Sequence, residues 1–219
     1  MAKLALYLFG PPRVELDGQP IEINRRKSLA LLIYLALHPG MRSRDSLATL
    51  FWPGYSQTDA RGNLRRALFI LKQALPSEWF ETSRQQLALR QDADIWVDVV
   101  AFRNAAQKRT TAQELARAVE IFDQTFLDGF TLPDAAEFDD WSTSERESLT
   151  RELADTLELL VQFCAGRRDY GAAIAHAKRR VDLDPLYEPG QRSLMRLYAE
   201  SGQRAAALHQ YDECIRILQ

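Results

Sequence analysis

The sequence predicts a mainly α-helical chain with small antiparallel β elements near its start. Three observations predict it. Period-two alternation is confined to short stretches of the first hundred residues, and the rest carries helical periods. Within those periods, the triplets Ala172-Ala173-Ile174 and Ala206-Ala207-Leu208 stand 34 residues apart. At 219 residues the chain can hold two small domains, each with its own core.

Leu4–Phe9 reads as an apolar strand stopped by Gly10-Pro11-Pro12. Arg13–Leu16 alternates, Asp17-Gly18 is a hairpin turn, and Pro20–Ile23 alternates again. Arg26–His38 is helical, with Leu29, Leu32, Ile33, Ala36 and Leu37 as its expected core stripe. Ser43 caps a short helix through Leu50-Phe51-Trp52, which Pro53-Gly54 ends. A longer helix spans Gln57–Leu75 and stops at Pro76. Trp79–Thr82, a polar tip over Ser83-Arg84-Gln85-Gln86, and Leu87–Leu89 form a terminal hairpin. Strands, three helices and a hairpin, in that order, make a winged helix-turn-helix over residues 1–98. Such folds place the third helix in the major groove of DNA and the hairpin wing on the neighbouring backbone or minor groove.

The third helix is the most informative segment. Leu64, Leu68, Leu71 and Leu75 draw one apolar stripe, and Thr58, Gly62, Arg65, Arg66, Phe69 and Gln73 occupy the opposite arc. Arg61 and Lys72 stand on its shoulder, and no acidic residue follows Asp59 within the helix. A solvated basic face is common, so the helix alone carries little weight. Arg84 at the wing tip adds a second cation where the fold would place DNA. Residues 1–98 hold 13 Lys+Arg against 10 Asp+Glu, leaving 15 against 20 for the remainder, so the net charge of −2 hides a basic first part and an acidic second. That asymmetry suits a DNA-binding module joined to a partner-facing one.

From about Val99 the pattern is helical to the end. Thr111-Ala112-Gln113-Glu114 fits a capping box opening a helix through Phe122. A loop with Gly129 and Pro133 precedes a long amphipathic helix over roughly Trp141–Cys164. In the last part Val181 matches Ile215 and Leu183 matches Ile217, with Asp184-Pro185 between helices. The 34-residue offset is the tetratricopeptide period, so residues 99–219 read as an all-α helical-repeat domain, a scaffold for protein contacts. Tyr170, Tyr198 and Tyr211 are expected to fill gaps between its helices.

With these motifs placed, the chain resembles the antibiotic-regulatory-protein class of bacterial transcriptional activators, a response-regulator-type winged helix followed by a bacterial transcriptional activator domain. Phe9-Gly10, Val14, Asp17-Gly18, RRKSLALLIYLALHPG, SRDSLATLFWP and ARGNLRRALFILKQAL carry the likeness in the first half, and Val97-Asp98 with Phe102 at the junction. Trp141, Glu145-Arg146, Leu149, Asp184-Pro185 and YAESGQRAAALHQYDECIRIL carry it in the second. The resemblance implies that Gln57–Leu75 is the recognition helix. Two departures stand out. The wing lacks the Gly-Tyr often seen near its tip, and the chain stops at Leu218-Gln219 without the family's usual tail. The sequence therefore reads as the front of a longer regulator, whose remainder could hold an ATPase or a sensor.

Other features have plainer readings. Cys164 and Cys214 form no CxxC pair, which fits a reducing cytoplasm and proposes neither zinc nor a redox motif. The run Leu29–Leu37 after Arg25, Arg26 and Lys27 begins too late for a signal peptide and is too short to span a bilayer. Gly166 to Gly171 has phosphate-loop spacing, but Ala172-Ala173 stands where Lys and Ser/Thr are needed. His38, His176 and His209 are isolated, and Glu137-Phe138-Asp139-Asp140 reads as the acidic first turn of a helix. Trp52, Trp96 and Trp141 read as packing residues.

The expectation is a cytoplasmic, sequence-specific DNA-binding transcription regulator, an activator, with no enzymatic activity, cofactor, metal or membrane association. Arg61, Arg66 and Lys72 are expected on phosphates, Arg65 and Phe69 on base edges, and Arg84 on the wing's contact. Promoter DNA, with direct repeats as one operator form, is the expected first partner. RNA polymerase or a second copy of the chain would meet the helical domain. The rival reading is a protein-interaction adaptor whose winged helix does not bind DNA. A ligand sensor using the repeats' concave surface is a third.

Overall fold

In the computed structural model, which describes residues 3–90, 92–108 and 111–218, short local signals set most of the element boundaries. Gln219, where the sequence ends the last helix, lies outside the described residues. Asp17 and Gly18 take φ of 52° and 75°, and two positive φ values in a row are what a two-residue hairpin turn requires. They join β2 (Arg13–Leu16) to β3 (Gln19–Pro20), and β2 runs antiparallel to β1 (Leu4–Tyr7) with Leu6 opposite Val14. Next come α1 (Arg26–Leu37), β4 (Arg42–Ser43), α2 (Arg44–Phe51), α3 (Gln57–Ala74), a 3-10 turn at Ser77–Trp79, β5 (Phe80–Thr82) and β6 (Gln86–Leu89). β7 (Ile95–Val97) leads into α4 (Asp98–Lys108), α5 (Ala112–Ile121), α6 (Ala136–Gly166), α7 (Tyr170–Leu183), α8 (Glu188–Glu200) and α9 (Arg204–Leu218).

Among the described residues two sheets form, ordered β3-β2-β1-β7 and β4-β6-β5. Each contains a strand that the sequence pattern does not show. β7 lies parallel to β1, so the first sheet is not wholly antiparallel, and the two-residue β4 joins the hairpin as a third strand. Strands this short have too few residues to display alternation, and only their partners define them.

The chain divides into two compact units: residues 1–100 with 123–146, and residues 101–122 with 147–219. In the first, α1 is covered on more sides than one stripe. Ala30, Leu31, Leu32, Ile33 and Leu35 are buried, whereas Leu29, Ala36 and Leu37 are only half-buried. The expected stripe is thus corrected: α1 packs on both α3 and β6, so the buried arc widens past one face. Residues 123–146 join this unit through backbone and aromatic contacts. Leu127 N–H donates to Leu8 C=O at 2.8 Å, and Gly10 N–H donates to Thr125 C=O at 2.9 Å. Phe138 is fully buried with its ring 5.5 Å from Phe51 and 5.2 Å from Trp141, and Trp141 meets Tyr34 edge-on at 5.1 Å. Aromatic pairs at these separations are attractive beyond the area they bury. Asp98 is buried as well, and its carboxylate accepts from the N–H groups of Leu8 at 2.6 Å, Phe9 at 2.9 Å and Val99 at 2.7 Å. Burial pushes this carboxyl above the usual aspartate range, against the pull of those three donors.

In the second unit, Leu149, Leu153, Leu157 and Leu160 of α6 form a buried stripe at helical spacing. Arg103 meets Glu152 through its Nη2 at 2.9 Å, and Arg179 donates to the carbonyls of Val119 and Phe122, satisfying the C-terminal end of α5. Thr111 caps the start of α5, as its sequence pattern predicts. The long helix begins at Ala136, earlier than Trp141, because Glu137 and Asp139 fill its first turn. Val161, Ala173, Ile174, Ala177, Val181, Leu194, Leu197 and Tyr198 make one cluster beneath α7, α8 and α9. Asp184 ends α7, and its carboxylate accepts from Leu186 N–H at 3.1 Å in the turn before α8. The second helical triplet behaves differently from the first. Leu208, Tyr211, Ile215 and Ile217 are exposed, so Tyr211 fills no interhelical gap as expected; Tyr198 is buried and Tyr170 partly so.

Candidate nucleic-acid interface

The interface begins with two serine caps. Ser43 Oγ accepts from the N–H groups of Asp45 and Ser46 and starts α2. Ser56 Oγ accepts from Asp59 N–H at 3.2 Å and starts α3. Helix α3 buries Ala60, Leu64, Ala67, Leu68 and Leu71, with Leu75 at its C-cap also buried. The side chains left outside are those the stripe predicts. Thr58, Arg65, Arg66, Phe69 and Gln73 are exposed, while Gly62 and Lys72 are half-buried. Phe69 is 60% exposed. A phenyl ring kept in water gains nothing from the fold that carries it. Phe69 is therefore not packed under the hairpin. Arg65 has no ion pair among the described residues.

The wing is tied to α2 through one residue that the sequence pattern did not single out. Arg44 N–H donates to Gln85 C=O at 2.8 Å, and Arg44 Nε donates to Ser83 C=O at 3.0 Å. The same guanidinium lies within electrostatic reach of Arg65 and Arg61. Burial, then the charges of Arg65 and Arg61, hold it below the usual arginine range. Arg44 and Arg65 thus bring like charges together between the start of α2, the exposed arc of α3 and the wing tip, where Arg84 is also exposed. Like charges held together repel, and an anion seated among them relieves the repulsion. Two arginines flanking a serine cap, Arg42 and Arg44, were the available signal, but nothing local places Arg44 beside α3.

Arg61 has a different neighbour. Its guanidinium meets Asp45 of α2 in a two-point pair, and Gln57 donates to the same carboxylate. These hydrogen bonds hold the Asp45 carboxyl below its usual range. Arg61 therefore bridges α3 to α2, and its charge is partly answered within the protein. Arg65, Arg66 and Phe69 come together on one arc with Lys72 at its edge, and Arg61 stands apart, tied to Asp45.

The other candidates are structural. Asp169, between Gly166 and Gly171, caps α7 by accepting from Ala172 N–H at 3.2 Å. His38 stacks on Tyr34 at 4.0 Å, and Asp139 accepts from Leu132 N–H at 2.8 Å. Among the described residues no helix is long and apolar enough to cross a membrane.

Residues 97–219 match the model of the bacterial transcriptional activator domain. The chain belongs to that family. The match carries the resemblance to antibiotic-regulatory-protein activators, and the family is one of transcription regulators. The whole chain also superposes on a solved structure, Mycobacterium tuberculosis EmbR in complex with low affinity phosphopeptide, with a TM-score of 0.73 and 20% sequence identity. At that identity the likeness is one of fold. The match covers 100% of this chain and 60% of the EmbR chain. No curated protein matches the sequence.

Proposed function

We propose that this regulator of the bacterial transcriptional activator domain family binds promoter DNA sequence-specifically and activates transcription in the cytoplasm, without enzymatic chemistry or a cofactor of its own. The observation that carries this reading is the exposed arc of α3, where Arg65, Arg66 and Phe69 stand in water and Arg65 lies within electrostatic reach of Arg44, which holds the wing. The exposed ring gains nothing from folding, and a groove lined by phosphates and base edges offers partners to it and to the cations around it.

In this reading α3 enters the major groove. Arg65 pairs with the N7 and O6 of a guanine, and Phe69 lies against a thymine methyl. Arg66 and Lys72 meet phosphates, Arg44 joins them, and Arg84 on the wing meets the adjoining backbone. Arg61 reaches a phosphate only by sharing itself with Asp45, so its share of the affinity is smaller than that of Arg66. Residues 1–98 supply the DNA-binding function, and residues 99–219 supply contacts to RNA polymerase or a second copy of the chain.

Fluorescence anisotropy of the full chain on its own upstream DNA, across a series of salt concentrations, tests this. The logarithm of the association constant should fall linearly with the logarithm of salt, by about 0.9 per phosphate neutralised. Absence of binding at low salt, or equal affinity for promoter and scrambled duplex, defeats the reading.

A further inference from the structure

The first two turns of α3 are fastened to the first turn of α2 through one carboxylate. Asp45 accepts from Gln57 Nε2 at 2.5 Å, from Arg61 Nε, and from Arg61 Nη2 at 2.6 Å. Nε and Nη2 lie on the same edge of the guanidinium, so the carboxylate grips Arg61 side-on and fixes both its position and its plane. Gln57 steadies the carboxylate in turn. The bonds from Arg61 and Gln57 hold this carboxyl below the usual aspartate range, so it stays charged at neutral pH.

Both partners remain in water: the side chain of Arg61 is 46% exposed and that of Asp45 is 50% exposed. An ion pair in that setting adds little to stability. What it changes is the guanidinium itself. An arginine loose in water loses rotamer freedom when it docks, whereas Arg61 is already ordered before anything binds. Its charge is also answered, which makes it a poor contact for a phosphate. The edge left over is the end of the fork. Arg61 Nη1 makes no hydrogen bond among the described residues, and one of its N–H groups runs parallel to the second N–H of Nη2. Two parallel donors at that spacing match N7 and O6 on the major-groove edge of guanine. The placement fits as well. Arg61 lies in the N-terminal part of α3, where recognition helices meet base edges, and one turn before Arg65.

We infer that Arg61 reads a guanine base edge and that Asp45 is the positioning residue that orients it for that contact. This rests on the DNA-binding reading and deepens it, since Arg61 and Arg65 then call for guanines at neighbouring base pairs. Asp45 also sharpens the choice between sequences. On a duplex with no guanine at that position, its negative charge still faces the phosphates and no base contact offsets the repulsion. The pair thus lowers affinity for arbitrary DNA and raises discrimination.

Binding-site selection and anisotropy titrations across salt, both on the full chain, test this. Arg61→Ala should erase the preference for guanine at one position, with a loss of about tenfold or more in discrimination. Its salt slope should equal the parent's, because Arg61 neutralises no phosphate. Arg61→Lys keeps the charge without the fork and should lose the same guanine. Asp45→Asn should bind scrambled duplex as tightly as the parent or more tightly, yet discriminate severalfold less. A purely structural fastening predicts otherwise: both duplexes would weaken together. Retention of the parent's sequence preference in Arg61→Ala, with a salt slope reduced by about one unit, makes Arg61 a phosphate contact and overturns the inference. So does an Asp45→Asn chain whose affinities for selected and scrambled duplexes fall in the same ratio. Failure of the DNA-binding reading has a different signature. The parent chain itself would then bind no duplex or select no sequence, and the roles of Arg61 and Asp45 would fall with it.

Discussion

Helices α3 and α9 each keep large apolar side chains in the open, but they surround them differently. On α3 a single ring, Phe69, stands 60% exposed between Arg65, Arg66 and Lys72. On α9, Leu208 at 60%, Tyr211 at 53%, Ile215 and Ile217 share the surface with Arg216, Glu213 and His209, which pair with one another rather than gather one sign. Exposure alone therefore says little about function. The sign and crowding of the neighbouring charges distinguish a face shaped for a polyanion from one that is merely uncovered. A second contrast sits inside the repeat. Ile174 and Leu208 occupy matching positions 34 residues apart, yet Ile174 is 7% exposed and Leu208 is 60% exposed.

The sharpest way to break the first contrast is to reverse a charge on α3. Arg65→Glu should abolish detectable promoter binding at physiological salt in an anisotropy titration, whereas Leu208→Glu on α9 should leave it unchanged. Equal losses would mean that α9, too, faces the nucleic acid.

The repeat contrast predicts the next largest effect. Ile174→Ala should destabilise the chain by about 2–5 kcal/mol in a urea melt, as deletion of a buried branched side chain does. Ala173, fully buried in the same cluster, should resist enlargement: Ala173→Leu should cost about 1–3 kcal/mol by overpacking. An indifferent Ala173→Leu would count against the tight packing of α7 on its neighbours.

Removing the proposed base contact without reversing its charge is gentler. Arg65→Ala should cost roughly 1–3 kcal/mol on the cognate duplex and relax the preference at one base pair, read by binding-site selection. A wild-type sequence preference retained in that variant would remove the base-reading role. Lys72→Ala should weaken all duplexes about equally and lower the salt slope by about one unit. The smallest effect belongs to Leu208→Ala. Its stability should stay within about 0.5 kcal/mol of the parent, since the side chain leaves almost no buried contact behind.

Helix boundaries were legible because local chemistry sets them. Ser43 and Thr111 each satisfy first-turn amides within three residues, and a cap needs no distant partner. The exposed arc of α3 was legible for a related reason. Four leucines at helical spacing choose the buried side, and geometry leaves Arg65, Arg66 and Phe69 opposite. The sites built from residues far apart in sequence were not legible. Arg44 reaches the wing across 39 positions to Ser83, and Arg61 finds Asp45 from 16 positions away.

By itself, then, the amino-acid order determined where the capped helices α2 and α5 start and which side of α3 faces water, both of which follow from hydrogen bonds and periodicities within about one turn, and it showed the 34-residue recurrence. The tertiary structure alone decided that α1 would be covered on several sides, that residues 123–146 would return to the first unit, and that matching residues on α7 and α9 would have opposite burial. Burial is a property of what lies across from a side chain, and hydrophobic attraction is non-directional, so a leucine carries no record of which neighbour will cover it.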